Sequence, residues 1–288
     1  MCQLGFYFLD NEDFDEAHNW FTTAIAAGNA RGISGMGRIH MDQGEYKQAL
    51  KYFKEAGEKG YVPAIFNMGL IYREMDDSQK AYDYFLEAYE KGHAEACVSI
   101  ARMYEEQDDV ESETQWLRKG VEMGSFTAAN NLSAVLMNDD NIGEAKEILL
   151  SVVDTGNVQV LYNLGVVFDI EKNFGEAVKY YEMAIEQGHL GAMLNLGKHY
   201  VFNGSTQETI ERGIELLEVC VEHGIDEAED VLDEDSEFGT GSYNGIDRTR
   251  ISEYEPSNMA AYDEDEDEED DDDESFDLAA EIARLTKL

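Results

Sequence analysis

Along the first 224 residues, small, bulky and polar positions return in a fixed order. Glycine stands at Gly28, Gly60, Gly92, Gly124, Gly156 and Gly188, five equal steps of 32 residues, and again at Gly224 after a step of 36. Nine residues after each comes a second small column, Gly37, Gly69, Ala101, Ser133, Gly165 and Gly197, with Gly5 one period earlier. Twelve further on lies a third, Ala17, Ala49, Ala81, Glu113, Ala145 and Ala177, with Gly213 shifted by the four extra residues of the last period. Bulky residues follow the second column by three, at Phe8, His40, Tyr72, Tyr104, Leu136, Phe168 and Tyr200. Others follow the third, at Trp20, Tyr52, Tyr84, Trp116, Ile148, Tyr180 and Leu216, with Phe21, Phe53, Phe85, Leu117, Leu149, Tyr181 and Leu217 beside them. A small residue at one height and a bulky one a turn later mark a helix that packs closely on its neighbour. Each period therefore predicts two amphipathic helices of about 12 residues.

The glycine that closes each period, as in Glu58-Lys59-Gly60 and Glu186-Gln187-Gly188, suits the position just past a helix end, where a positive φ is needed. Between the two helices stand polar links such as Asp42-Gln43-Gly44-Glu45-Tyr46 and Glu171-Lys172-Asn173-Phe174-Gly175. One such hairpin cannot bury its apolar stripe alone, so the units must stack on one another. After Gly224, Ala228 and Leu232 stay in phase among Glu227, Glu229, Asp230 and Asp233, the composition of a solvating C-terminal cap. At the other end Met1 lies four residues before the first small column. That placement predicts exposure of Leu4, Phe6 and Phe8, through a late start or beneath a covering partner. The unit from Ser125 to Gly156 is the least regular, with Ser133, Leu136 and Ile148 in the columns.

The run Ala184-Ile185-Glu186-Gln187-Gly188-His189-Leu190-Gly191-Ala192-Met193-Leu194-Asn195-Leu196-Gly197 resembles the Ala-x-x-x-Gly-x-x-x-Ala-x-x-x-Leu-Gly join of the Sel-one-like repeat (SLR) family, a variant of the tetratricopeptide (TPR) helical hairpin. Residues 56–69 and 88–101 repeat it with small departures. The likeness extends from residue 1 to about 235. It implies an all-α fold, a right-handed α-α superhelical solenoid of about seven helical hairpins, used for protein binding and complex assembly without catalysis of its own. The expected organisation is a repeat solenoid over 1–235, with units ending at 28, 60, 92, 124, 156, 188 and 224 and then a capping helix. A disordered linker and acidic run over 236–274 would follow, and 275–288, where Leu278, Ile282 and Leu285 lie at i, i+4 and i+7, reads either as a disordered end or as a short amphipathic helix that folds on a partner or on the solenoid itself. The interhelical loops are shorter than the family's usual ones in all but the last unit.

Charge narrows the classes of partner. The 288 residues carry 21 Lys and Arg against 63 Asp and Glu, a net −42. Twelve consecutive acids fill residues 263–274, and such a run is expected to stay disordered by self-repulsion. A surface this acidic cannot bind nucleic acid directly by releasing counterions, and an electrostatically steered partner should be basic. No segment approaches the ~18 consecutive apolar residues of a membrane helix, and the start lacks a secretory signal's basic flank. No membrane insertion and a cytoplasmic location are therefore expected. Cys2, Cys97 and Cys220 are odd in number and widely spaced, against both a disulfide scaffold and a zinc site. They also lack the paired cysteines that staple those SLR proteins that bind or cleave β-lactams, which leaves a β-lactam hydrolase as the reading with least support.

No catalytic constellation stands out, and neither a cofactor nor a metal is expected. His18, His40, His93, His189, His199 and His223 have no metal-ligand spacing, and His93 and His189 read as turn residues after equivalent glycines. The site expected to bind a partner is the face formed by the first helix of each hairpin. Two positions before the second column stand Asn67, Asn131, Asn163 and Asn195, amides able either to bond an extended peptide or to tie adjacent helices together. Arg38 and Arg102 sit one position after that column and Arg73 four after it, suited to a carboxylate-bearing peptide or else to local pairs such as Arg38 with Asp42 and Arg102 with Glu106. Phe66, Val98 and Tyr162 would give the face an apolar lining. The expected partner is a protein or peptide, with intramolecular docking of the acidic tail on the arginines as a modulator. The competing reading makes the tail itself the active part, as a chaperone for basic proteins or a nucleic-acid mimic.

Overall fold

The computed structural model describes residues 1–237. The expected linker beyond residue 237, the acidic run and the terminal amphipathic stretch lie outside them. Among the described residues there are fifteen α-helices and one 3₁₀ turn. They pair as hairpins: α1 (Cys2–Asp10) with α2 (Phe14–Ala26), α3 (Ala30–Asp42) with α4 (Tyr46–Glu58), α5 (Pro63–Glu74) with α6 (Ser78–Glu90), α7 (Glu95–Glu105) with α8 (Val110–Glu122). These four make one compact unit, Met1–Met123. The second unit begins at Gly124 and holds α9 (Phe126–Asn138) with α10 (Ile142–Ser151), α11 (Val158–Ile170) with α12 (Phe174–Glu186), α13 (Leu190–Asn203) with α14 (Gln207–Glu222), then α15 (Asp226–Glu237). Within each unit the second helix of a hairpin also packs on the first helix of the next. No helix among the described residues is long and apolar enough to cross a membrane.

The columns explain the hairpins. A methyl group on Gly37 would sit 2.7 Å from the Phe53 ring, and one on Gly69 2.5 Å from Phe85. Gly5 meets Phe21 and Gly165 meets Tyr181 in the same way. The bulky residue of the second helix thus fills the space that the missing side chain of the first leaves, and Phe21, Phe53 and Phe85 are fully buried. Where the small residue has a Cβ, at Ala101 and Ser133, its counterpart is Leu117 or Leu149 rather than a ring. Volume is conserved across these pairs, and only the last hairpin departs, with Gly197 facing Leu217.

Both turns of a period are left-handed except in the last, where Gly204 after α13 has a φ of −58°. The closing glycines have φ between +69° and +94°. A second left-handed position, between the two helices, is filled by Glu12, Gly44, Asp76, Asp108, Asp140 and Lys172, again 32 residues apart. Only one is glycine, so this column was hidden in the sequence. Its geometry is that of a Schellman turn: the N–H of Asp77 reaches the Tyr72 carbonyl (2.9 Å) and that of Asp76 the Arg73 carbonyl (2.9 Å). The next residue starts the second helix, and Asp13, Asp77 and Asp109 accept the N–H of Glu16, Lys80 and Ser112 there.

The start of the chain departs from expectation. Leu4 is fully buried, while Phe6 and Phe8 are half-buried. The cause is α3 lying against α1 as well as α2, so that a next-but-one helix closes over part of the first. The irregular unit shows its irregularity in α10. It stops after 10 residues and gives way to the 3₁₀ turn Val153–Thr155, where the second helices of the earlier hairpins run for 13.

Candidate functional site

In the first unit the first helices are α1, α3, α5 and α7, and every cation on them is an arginine: Arg31, Arg38, Arg73 and Arg102. All four are half-buried. Arg38 takes the local pairing, with Nε 3.1 Å from Asp42 Oδ1 one turn on. Arg73 and Arg102 lie in the last turns of α5 and α7, where a cation complements the helix dipole. Arg31, which the spacing argument did not single out, opens α3. Its guanidinium lies 5.2 Å from the centre of the Phe6 ring, and its Nε has no hydrogen-bond partner among the described residues. Asn67 and Val98 are half-buried beside the small column. Phe66 is half-buried too, its ring edge-on to His93 (4.6 Å between centres) and tilted on Phe85 (5.4 Å).

The same register in the second unit is closed. The first helices there are α9, α11 and α13. Helix α9 has no charged residue, and the charged groups of the other two, Asp169, Lys198 and His199, are all buried. Tyr162 is wholly inaccessible, stacked on His189 at 4.3 Å. Asn195 is likewise wholly buried and directs its Nδ2 toward the Tyr162 and Tyr181 hydroxyls, at 3.4 and 3.5 Å. Asn163, 1% exposed, donates its Nδ2 to Asn130 Oδ1 on α9 (2.6 Å), while its own Oδ1 has no partner among the described residues. Asn131 is buried as well. Thus the structure directs the amides of Asn163 and Asn195 to neighbouring helices and leaves Asn67 half-open in the other unit.

His93 and His189 have a joint role that sequence spacing half revealed. Each follows the closing glycine and packs on the aromatic three positions before the small column of the preceding hairpin, Phe66 or Tyr162. His189 goes further, accepting the Ala192 N–H at Nδ1 (3.0 Å) to cap α13, with Nε2 3.1 Å from Gln159 Oε1. Because Nδ1 accepts, the proton sits on Nε2 and faces the glutamine.

The remaining reactive groups are inward-facing. All three cysteines are free and buried. Burial pushes the Cys97 and Cys220 thiols up to about 11, which keeps them protonated at neutral pH. His199 stands 4.0 Å from Asp169, and burial holds its imidazole below the ordinary histidine value of 6.5 while the Asp169 carboxylate pulls the other way. No group of three or more His, Cys, Asp or Glu able to hold a metal occurs among the described residues.

Stacked antiparallel helical hairpins with small-to-bulky columns define a helical-repeat protein. Repeat models match parts of the chain: tetratricopeptide family models match residues 2–63 and 62–90, and the Sel1 repeat model matches 156–189. Among solved structures it is similar to a protective antigen of uropathogenic Escherichia coli with an SLR fold, at 18% identity and a TM-score of 0.64. That likeness covers 88% of this chain and 61% of the other, so this chain spans under two thirds of that protein's length. A Sel1 repeat protein from Oxalobacter formigenes matches at 18% identity, TM-score 0.58, over 77% of this chain and all of its own. Pseudomonas aeruginosa pilF follows at 16% identity, TM-score 0.53, over 71% and 97%. At these identities the likeness is one of fold. No curated protein matches the chain in sequence.

Proposed function

We propose that the protein is a non-enzymatic scaffold that holds a peptide or partner protein against the first helices of its repeats. The observation that carries this reading is the contrast between units: α3, α5 and α7 offer half-buried arginines beside Phe66, Asn67 and Val98, whereas α9, α11 and α13 offer no accessible charge. Arginine gives a planar fork for carboxylates and keeps its charge when partly desolvated. In this reading Arg38, Arg73, Arg102, Asn67, Phe66 and Val98 contact the ligand. Asn131, Asn163, Asn195 and Tyr162 set the spacing of the helices beneath their own part of the face. The ligand is an extended segment carrying one or more carboxylates, and the setting is the cytoplasm.

Affinity capture with the full chain tests this. Charge reversal at Arg38, Arg73 and Arg102 together should release at least one partner that the parent retains. Retention of every captured protein by the reversed variant would remove the arginine face from the account.

A further inference from the structure

Charge is not spread evenly over the repeats. The second one, residues 29–60, has six bases (Arg31, Arg38, Lys47, Lys51, Lys54, Lys59) against four acids (Asp42, Glu45, Glu55, Glu58). Every other repeat has an excess of acids, from three to five charges each. The excess of bases lies on α4, the only second helix of a hairpin whose bases outnumber its acids. Lys47, Lys51 and Lys54 follow at i, i+4 and i+7, which places them along one face of that helix. All three are exposed, and none has a carboxylate partner among the described residues; Lys51 donates only to Gln48 Oε1, at 2.9 Å. Elsewhere most lysines are paired: Lys59 with Glu55, Lys80 with Asp77, Lys91 with Glu87 and Lys179 with Glu176 within a helix or its cap, and Lys146 with Glu171 and Lys198 with Glu227 between elements.

We propose that this lysine face of α4 is the docking surface for the chain's own acidic run, residues 263–274. Screening decides whether a patch so small can act inside a protein of net charge −42. The Debye length is about 8 Å at physiological salt, so an approaching acidic segment feels chiefly the nearest hairpin. Over every other repeat that local charge repels it. Over α4 it meets three exposed cations with no carboxylate partner among the described residues. The run lies outside the described residues, joined to α15 through residues 238–262. This surface differs from the arginines on which the sequence placed the tail. Docking on α4 leaves the first-helix face open, so it stands or falls separately from the scaffold reading.

Zero-length carbodiimide cross-linking of the full chain, which joins lysine amines to carboxylates in contact, reads the proposal directly. Links from residues 263–274 should fall on each of Lys47, Lys51 and Lys54 about fivefold or more above those on Lys172, an exposed lysine that likewise has no carboxylate partner among the described residues. They should weaken about as much when salt is raised from 0.05 to 0.5 M, and should not change on diluting the protein. An even spread over all exposed lysines would overturn the proposal, as would links that vanish on dilution, which would mean that the run docks on a second copy. As an independent check, the exposed-site variant K47E/K51E/K54E should let a glutamyl endopeptidase cut the acidic run about threefold faster or more in the full chain. Unchanged cleavage there would also refute it.

Discussion

The two units are built from one hairpin and put it to different ends. In the unit Met1–Met123 the first helices keep arginines and rings half-open, and in the unit from Gly124 they are nearly buried and without accessible charge. Helix α11 shows the extreme, with Val160 to Val167 buried without a break. A helix enclosed on nearly all sides serves as a core. The lesson is that equivalent positions in a repeat need not be equivalent in function. Asn67 and Asn195 share a register position, and only the second is spent on Tyr162 and Tyr181.

What both units share is the small-to-bulky pair, and breaking it should have the largest effect. Gly69→Val places a branched side chain into the Phe85 ring and is expected to cost about 3 kcal/mol in denaturant melts. Adding Phe85→Leu, the pairing that Ala101 and Leu117 already use, should restore about 1 kcal/mol or more of that loss. Strictly additive losses would show that the ring is not what opposes the new side chain.

The asparagine comparison comes next. Asn195→Ala, which removes the amide facing two buried tyrosine hydroxyls, should cost about 2 kcal/mol. Asn67→Ala in the half-open unit should stay within about 0.5 kcal/mol. Equal losses would erase the distinction between the units. Smaller again is the hidden left-handed column: Asp76→Gly relieves a φ of +56° and should stabilise the chain by up to about 1 kcal/mol, where the same change at a right-handed helical residue costs about that much. A destabilised D76G protein would mean that the turn is held by its side chain.

The smallest expected effect is one of pH. Since burial lowers the His199 value in the folded protein, the unfolded chain takes up the proton first. The contribution of the neutral ring is full above 6.5 and is lost as pH falls from there through the folded value. Protection factors in α11 and α13, taken against the intrinsic exchange rate at each pH, should therefore fall below pH 6.5, and His199→Gln should flatten that dependence. An identical pH profile in the variant would exclude His199 as its source.

The fold was legible because each hairpin restates the same volumes: the glycine, small and bulky columns located the helices and the left-handed closing turns. The second left-handed column was not legible, since Glu12, Asp76, Asp108, Asp140 and Lys172 share a backbone conformation and no side-chain type. The site was legible only in part. Arg38, Arg73 and Arg102 remain on half-open helices, whereas Tyr162 is wholly buried with Asn195 near its hydroxyl, which a column of asparagines cannot reveal. A signal was present in the sequence nonetheless. Helix α9 has no charge at all in a protein of net charge −42, and a helix so spared is a buried one. Counting charge helix by helix would have set α3, α5 and α7, with two or three charges each, apart from α9, with none.

Hydroxyl-radical footprinting of the full chain with and without a captured partner tests the central contrast most directly. The account predicts protection on binding at Phe66, Val98 and the neighbouring half-buried rings Tyr72 and Tyr104, with α9, α11 and α13 unchanged. Protection confined to α9, α11 and α13, with Phe66 and Val98 as reactive as before, would contradict it.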